Sequence, residues 1–359
     1  SFLFKLAVGL VAIFLPLYIL GLGYSPYQVF IFFLVYYSVF VLLSFPNGAI
    51  ASRIGYKHMS ILSSPFILAF YLILRMNPSI TGLYVTAVLG GLGFNIYWAG
   101  MNPEIAESTH SQNRERETGY FFSMPTLATM ISPVLGGLVL AVYSFHTLFL
   151  FAAVFIGTSF VPFIFSKEHH EGMDLDPLSF FRRDHINDFL TYLGKGVNSI
   201  GKKVLWPLYL AVVIQSSVSI GGAGSLLALG SAAASIFLGR ITDKDNRNSV
   251  LLSGAVVTGL TYLLMIQVTS AEPALIVSFL NGLGRTAMSL PIYSRAMDKA
   301  EKEDLVEYFA FRETALSMGR VITIFILVGI FTLFPGNFAL GFVTIALSMI
   351  VIGYFGRKV

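Results

Sequence analysis

The chain consists of a succession of apolar runs, each close to the ~20 residues that a helix needs to cross a bilayer. Turn-forming residues such as Asn77–Pro78 and Pro335–Gly336 separate neighbouring runs. Only 12% of the residues are charged, whereas a soluble domain carries about 25%, so this chain cannot cover a water-facing surface. The sequence therefore predicts an all-α membrane protein with twelve transmembrane helices, over residues 3–22, 28–50, 59–76, 82–102, 118–142, 145–166, 187–212, 216–241, 248–268, 273–296, 306–333 and 336–356.

The second constraining feature is an internal repeat. The stretch from Gly48 to Lys57 returns as Gly239 to Arg247, at a shift of 191 residues (239 − 48 = 191). Further matches in this register take Pro16, Tyr18 and Ser25 onto Pro207, Tyr209 and Ser216. Long repeats of this kind are typical of transporters made of two parallel copies of one unit. We therefore predict two pseudo-symmetric six-helix bundles, over residues 1–166 and 186–359, joined by a cytoplasmic polar linker over 167–185.

The distribution of lysine and arginine predicts the orientation. These residues are concentrated in the loops that follow the even-numbered spans, and on the other side we find only Arg75. Cytoplasmic loops of membrane proteins carry an excess of both residue types. Both termini are therefore predicted to be cytoplasmic, in a multi-pass protein of the cytoplasmic (plasma) membrane that we expect to be a monomer.

Composition excludes several other classes of protein. There is no cysteine, which removes disulfides and thiolate metal sites. The net charge of +4 reflects the cytoplasmic loops, so nucleic-acid binding is not expected. No catalytic or nucleotide motif is found, and His169–His170 lack a spaced set of further metal ligands. We therefore expect no enzyme, cofactor or metal site, and partners limited to a small-molecule substrate, a coupling ion and the lipid bilayer.

A few ionisable groups are predicted to lie deep in the bilayer, where a charge costs about 3 kcal/mol and usually faces a cavity. They are Lys202, Lys203, Arg285 and Arg320, with Glu313 as the deep carboxylate. Polar side chains on four predicted helices complete a candidate substrate-binding set of Lys202, Arg285, Arg320, Asn95, Trp98, Asn102, Asn198 and Asn281. The excess of cations favours an anionic substrate.

Glu313 and Arg320 lie on one face of the predicted helix over 306–333, because they are seven residues apart. We expect Glu313 to pair with Arg320 while the site is empty, and to be released for proton coupling when a substrate anion binds. The alternative is that this ion pair is structural and that the neighbouring lysines pack at an interface between the two halves.

The loop after the second span of each half resembles the Gly-x-x-x-Asp-Arg-x-Gly signature of the major facilitator superfamily. In that family the loop latches the two halves together on the cytoplasmic side. The positions to which the resemblance carries this role are Gly48, Arg53, Gly239, Asp243 and Lys244. Ser52 departs from the signature, because it stands at the acidic position of the first copy.

A second element in the fifth span is similar to the Gly-Pro-x-x-Gly-Gly element of the same family. Pro133, Gly136 and Gly137 match it, and Ser132 replaces its first glycine. Proline and paired glycines allow a helix to bend and to pack closely, so we predict a bend here. The resemblance also implies that spans 1, 4, 7 and 10 line a central cavity, around which Lys202, Arg285 and Arg320 would converge.

Together these features predict a secondary active transporter that moves a small polar, anionic solute by alternating access, with the proton as candidate coupling ion. The alternative is an efflux transporter of amphipathic compounds or lipids, similar to drug/proton antiporters, which would need a more apolar cavity rich in Met and Phe. A non-transporting membrane sensor with the same fold is the third hypothesis. The chemistry of the cavity lining discriminates among them.

Overall fold

The computed structural model describes residues 2–108, 115–165, 185–242, 245–300 and 305–358. Within these ranges the regular secondary structure is helical and contains no strand. The helices are α1 (Phe2–Ala12), α2 (Leu15–Gly21), α3 (Pro26–Ile54), α4 (Tyr56–Arg75), α5 (Ile80–Ser108), α6 (Glu115–Val142), α7 (Phe145–Phe165), α8 (Ile186–Ile200), α9 (Trp206–Val213), α10 (Ser217–Ile241), α11 (Arg247–Met265), α12 (Ala271–Ala300), α13 (Leu305–Leu333) and α14 (Phe338–Phe355). A π-helical turn, Gly201–Leu205, joins α8 to α9.

The predicted all-α membrane fold is confirmed. In the described ranges, eleven helices are long and apolar enough to cross a membrane, and α1 and α2 together form the first of them. The remaining predicted span, over 187–212, consists of α8, the π-helical turn and α9, each shorter than a full span. This segment contains Lys195, Lys202 and Lys203.

The first and seventh spans are broken at equivalent places. Pro16 lies in the first turn of α2, and Pro207 lies in the first turn of α9. Proline has no N–H to donate to the carbonyl four residues earlier, so each of these prolines removes one helical hydrogen bond next to the break. The break before α9 includes the π-helical turn, an irregularity that is often found at functional sites.

The repeated tyrosines make equivalent contacts in the two halves. The Tyr18 hydroxyl donates to the carbonyl of Leu74, near the end of α4, and to Asn77 Oδ1 at 3.1 Å. The Tyr209 hydroxyl donates to the carbonyl of Val268, just after α11, at 2.8 Å. Each tyrosine therefore ties the broken span of its half to the end of the third span of that half.

The helices pack in the same pattern in both halves. In the first half α5 packs on α3 and α4, and α1 packs on α6 and α7; in the second, α12 packs on α10 and α11, and α8 packs on α13 and α14. Between the halves, α3 packs on α13 and α6 packs on α10. This arrangement confirms two pseudo-symmetric bundles. The boundaries at 166 and 186 stay a prediction, because residues 166–184 lie outside the described ranges.

Both contacts between the halves are closed at the predicted outer end. The rings of Phe30 in α3 and Phe331 in α13 pack edge to face, with their centroids 5.0 Å apart. Ser217 Oγ in α10 donates to the carbonyl of Gly137 in α6 at 3.0 Å. Side-chain packing and hydrogen bonding are the forces that hold helices together in lipid, so these contacts seal this end of the molecule.

The predicted inner ends of the two contacts differ. Gly48 of α3 still lies against α13, where an added Cβ would come within 3.3 Å of the Ala310 side chain. By contrast, Thr129 of α6 and Ser235 of α10 both line a cavity. The contact between α6 and α10 therefore opens toward the inner end, whereas the contact between α3 and α13 persists there.

Candidate functional site

A central cavity of about 660 Å³ lies between the two halves. Its walls come from α1 to α6 in the first half, and from the π-helical turn, α9, α10 and α13 in the second. This volume lies in the range of small-molecule sites, about 300–1,000 Å³. None of the described lining residues comes from α12, so the tenth span does not line the cavity as the resemblance implied.

The cavity is strongly cationic. Five basic side chains line it, and Glu313 is the one carboxylate among its described lining residues. The basic residues are Lys5, Lys202, Lys203, Arg312 and Arg320. No group of His, Asp and Glu side chains that could hold a metal ion occurs among the described residues. A cavity with this excess of cations attracts anions.

Three of these cations were outside the predicted set. They are Lys5, Lys203 and Arg312. Lys5 is a lone charge inside the first apolar run, which is a signal of the kind that identified the deeper cations. The structure shows that α1 carries its side chain into the cavity.

Arg320 and Glu313 form the ion pair that the sequence predicts. Arg320 Nη1 lies 2.6 Å from Glu313 Oε1 and also donates to Ser317 Oγ at 3.0 Å. Only 10% of the Arg320 side chain and 13% of the Glu313 side chain are exposed, so each charge depends on the other for compensation. Nε of Arg320 has no hydrogen-bond partner in the described part of the chain.

Aromatic rings form the rest of the lining, mostly from the first half. They are Phe4, Phe33, Tyr36, Tyr37, Phe40, Phe70, Tyr71, Phe94, Trp98 and Trp206. The Arg320 guanidinium lies 5.0 Å from the Tyr37 ring centroid, and Lys5 Nζ lies 4.4 Å from the Trp98 centroid. The faces of aromatic rings attract cations, so the two parts of the lining are in direct contact. Trp98 and Asn102 lie in the cavity as predicted.

The other three predicted asparagines do not line this cavity. They are Asn95, Asn198 and Asn281, and all are buried. Their side-chain amides bond, in that order, to the side chains of Asn47, Tyr262 and Thr261 at 2.6–2.7 Å. Each bond joins helices of one half. Helical spacing identifies a buried polar group, but it does not distinguish a cavity from a hydrogen bond between helices.

Arg285 faces a second, smaller cavity. This cavity has a volume of about 280 Å³ and lies between α8, α10 and α12. Lys195 also lines it, and Ser231 borders both cavities. The three cations predicted to converge on one site are therefore divided, with Lys202 and Arg320 in the central cavity and Arg285 in the second.

The predicted latch is only partly described. Gly48 packs closely on α13, and Arg53 is exposed in the last turn of α3. No described atom outside its own helix lies within 4 Å of a Cβ added at Gly239. Asp243 and Lys244 lie outside the described residues. The latch stays a prediction.

Helix α6 packs closely against helices of both halves through Pro133, Gly136 and Gly137. A Cβ at Gly136 would collide with the carbonyl oxygen of Leu10 in α1, and a Cβ at Gly137 would lie 2.5 Å from the carbonyl oxygen of Ser217 in α10. Pro133 lies against glycines of α10. Only small residues allow backbones to approach this closely. The predicted tight packing is therefore present, and the bend stays a prediction.

Comparison with known proteins gives two relatives by sequence. The "Multi-drug resistance efflux pump PmrA homolog" of Lactococcus lactis is 25% identical over 347 residues, which cover 87% of this chain and 82% of that protein. The "Proton-coupled antiporter flippase LtaA" of Staphylococcus saprophyticus is 33% identical over 96 residues, which cover 24% of each chain.

Solved structures share the fold. A POT family transporter in complex with 5-aminolevulinic acid superposes with a TM-score of 0.76 at 16% identity, over 99% of this chain and 93% of that one. A POT family transporter with a thioalcohol-conjugated peptide gives 0.75 at 14%, with the same coverage. The family model for the Major Facilitator Superfamily matches residues 1–183 and 191–358. Since that match covers nearly the whole chain, the protein belongs to the Major Facilitator Superfamily and is a multi-pass membrane transporter.

Proposed function

We propose that this transporter moves organic anions that carry an apolar body, with Glu313 as the proton-coupling group. The observation that supports the proposal is the mixed lining of the central cavity, in which the second half supplies four of the five cations and the first half most of the rings. Guanidinium and ammonium groups bind carboxylate or phosphate. Aromatic rings bury apolar surface, so a substrate with both parts satisfies both.

Arg320 is the site where substrate and proton interact in this mechanism. The substrate anion displaces the Glu313 carboxylate from Arg320, with which it forms an ion pair at 2.6 Å in this structure. The released carboxylate then takes up a proton, because a buried carboxylate without a cation favours its neutral form. Anion and proton therefore favour each other's binding, and this reciprocity couples their movement.

The names of the relatives support a substrate with an apolar part. One relative is named as a multidrug efflux pump and the other as a flippase. The competing candidate is therefore export of amphipathic compounds or lipids without a negative charge, for which the aromatic lining alone would be sufficient.

A thermal-shift series tests the charge of the substrate. The purified protein is heated with ligands of one alkyl length that end in carboxylate, sulfonate, amine or alcohol. We expect the two anions to raise the melting temperature, since a ligand at 100 times its Kd stabilises the folded state by about 2.7 kcal/mol. Amines that stabilise as well as the anions would exclude the proposal in favour of the competing candidate.

Matched variants locate the binding. Substitution of both members of the pair, Glu313→Gln with Arg320→Gln, removes the head-group site without leaving a buried unpaired charge. Arg75→Gln removes an exposed cation outside the cavity and serves as control. We expect the anion-dependent shift to be lost in the first protein and retained in the second. Uptake by proteoliposomes then shows whether the stabilising anions are transported.

A further inference from the structure

The second cavity has a lining suited to anions. Besides Lys195 and Arg285, the hydroxyls of Ser231, Thr286 and Ser289 line its volume of about 280 Å³. Arg285 and Ser289 lie four residues apart and therefore on the same face of α12. None of the described lining residues is a carboxylate. The cavity thus combines two basic side chains with three hydroxyl-bearing side chains, contributed by three different helices. The Ser231 hydroxyl donates to the carbonyl of Gly282 at 3.3 Å, so Thr286 and Ser289 supply the hydroxyl donors.

The two cations lack a counter-charge. Neither Lys195 nor Arg285 forms an ion pair within the described ranges. Nε of Arg285 is buried and has no hydrogen-bond partner there. An unpaired cation in a membrane-spanning segment raises the free energy of the folded state. A bound anion would lower it, because it supplies both the charge and the hydrogen-bond acceptor that are missing.

The hydroxyls of Thr286 and Ser289 are also uncommitted. Within the described part of the chain neither forms a hydrogen bond, whereas Thr258 and Thr323 donate to carbonyls of their own helices. A helical threonine normally satisfies its hydroxyl in this way. Lys195 Nζ lies 5.9 Å from the Tyr192 ring centroid, and neither it nor Arg285 has a carboxylate partner in the described ranges. The two hydroxyls beside these cations are donors without an acceptor.

We propose that this cavity binds a small oxoanion, such as inorganic phosphate or sulfate, as a site separate from the central cavity. The guanidinium of Arg285 presents paired N–H donors that match two oxygens of an oxoanion. Lys195 adds a second charge, and the hydroxyls complete the shell. The volume of about 280 Å³ has room for an oxoanion with a few waters. Ser231 borders both cavities, so the bound anion offsets positive charge next to the substrate.

The test is thermal unfolding of the purified protein in detergent as inorganic phosphate replaces chloride at constant ionic strength. We expect a saturable rise in melting temperature for the wild type and for the double variant Glu313→Gln with Arg320→Gln, which alters the central cavity without leaving a buried unpaired charge. In Arg285→Gln the apparent affinity for phosphate should fall at least tenfold. It should also fall in the double variant Thr286→Val with Ser289→Ala, which keeps both cations and therefore separates ligand binding from a structural role of the charges.

Vesicles distinguish the source of the oxoanion, because a lipid headgroup phosphate offers the same chemistry. The titration is repeated in vesicles of phosphatidylglycerol and in vesicles of a phosphate-free glycolipid. If the natural ligand is a free anion, added phosphate should raise the melting temperature equally in both kinds of vesicle. If it is a lipid phosphate, the headgroup already fills the site in phosphatidylglycerol, and added phosphate should act only in the glycolipid. Either result supports an oxoanion site. A response no larger than that to chloride overturns the proposal. An equal loss of the phosphate response in the double variant Glu313→Gln with Arg320→Gln and in Arg285→Gln also overturns it, because it would place the anion in the central cavity. The organic-anion shift measured in Arg285→Gln tests the proposed transport function separately.

Discussion

Arg320 contacts side chains on two helices that belong to different halves of the protein. Its partners Glu313 and Ser317 lie on its own helix, α13, whereas the ring of Tyr37 belongs to α3 in the other half. A change in the separation of α3 and α13 therefore changes the surroundings of Arg320. Whatever binds Arg320 will in turn bias that separation, since only differential interaction with two conformations shifts their populations.

Removal of the Glu313 charge tests the coupling. Glu313→Gln keeps the shape of the side chain and mimics its protonated form, so we expect substrate binding and exchange to persist. Accumulation driven by a pH gradient should be lost, because no group then takes up a proton with the substrate. Proteoliposomes loaded at two pH values give both readouts. Retention of pH-driven accumulation would assign the coupling to another group.

The energetics of the pair are tested by a double-mutant cycle. Arg320→Gln leaves Glu313 without its cation in a largely buried position, and loss of one member of a buried pair costs ~3–5 kcal/mol. Addition of Glu313→Gln removes the stranded charge, so the double variant should recover most of that stability. Unfolding in denaturant measures all four proteins. A double variant no more stable than Arg320→Gln alone would contradict the pairing.

At the scale of single elements, α6 contacts both neighbouring helices through small residues. Gly136 brings it against α1 in its own half, and Gly137 brings it against α10 in the other. Because the second contact lies at the closed outer end, α6 is one of the elements that must separate for the cavity to open outward. The seventh span is a second element in which irregular local structure coincides with the candidate site. Its π-helical turn contains Lys202 and Lys203.

Gly137→Ala tests the role of this contact. The added methyl would lie 2.5 Å from the carbonyl oxygen of Ser217, so the two helices must move apart and the outer-closed state is destabilised. A single cysteine at Thr129 in the cavity, which is possible because the chain has no cysteine, should then react more slowly with a reagent on the inner side. Gly329→Ala, where no described atom lies within 4 Å, is the control. Equal reactivity in both variants would remove Gly137 from the conformational change.

At the scale of the whole molecule, the two halves of the transporter are in contact at one end and enclose the central cavity there. The ring contact of Phe30 with Phe331 and the bond of Ser217 to Gly137 seal one end. The cavity extends toward the other end between α6 and α10. On the orientation predicted from lysine and arginine, this state faces the cytoplasm. Alternating access then requires the α6–α10 contact to open at its outer end and close at its inner end.

The orientation itself is tested by accessibility. Single cysteines at Ser25 or Asn77, both exposed between spans, should react in intact cells with an impermeant thiol reagent. A cysteine at His58, exposed at the start of α4, should react only after the membrane is permeabilised. The inverse pattern would show that the termini face outward and that the cavity opens to the exterior.

The sequence by itself determined the membrane-spanning helices, the repeat and the pairing of Glu313 with Arg320. These depend on local properties: the length of an apolar run, a fixed register shift, and two residues seven positions apart on one helix. Only the tertiary structure decided which buried polar groups face a cavity. Asn198 bonds to Tyr262 in a neighbouring helix, and Arg285 faces a different cavity from Lys202. Helical periodicity predicts which residues share one face of a helix. Whether that face contacts a cavity or another helix is determined by how the other helices pack.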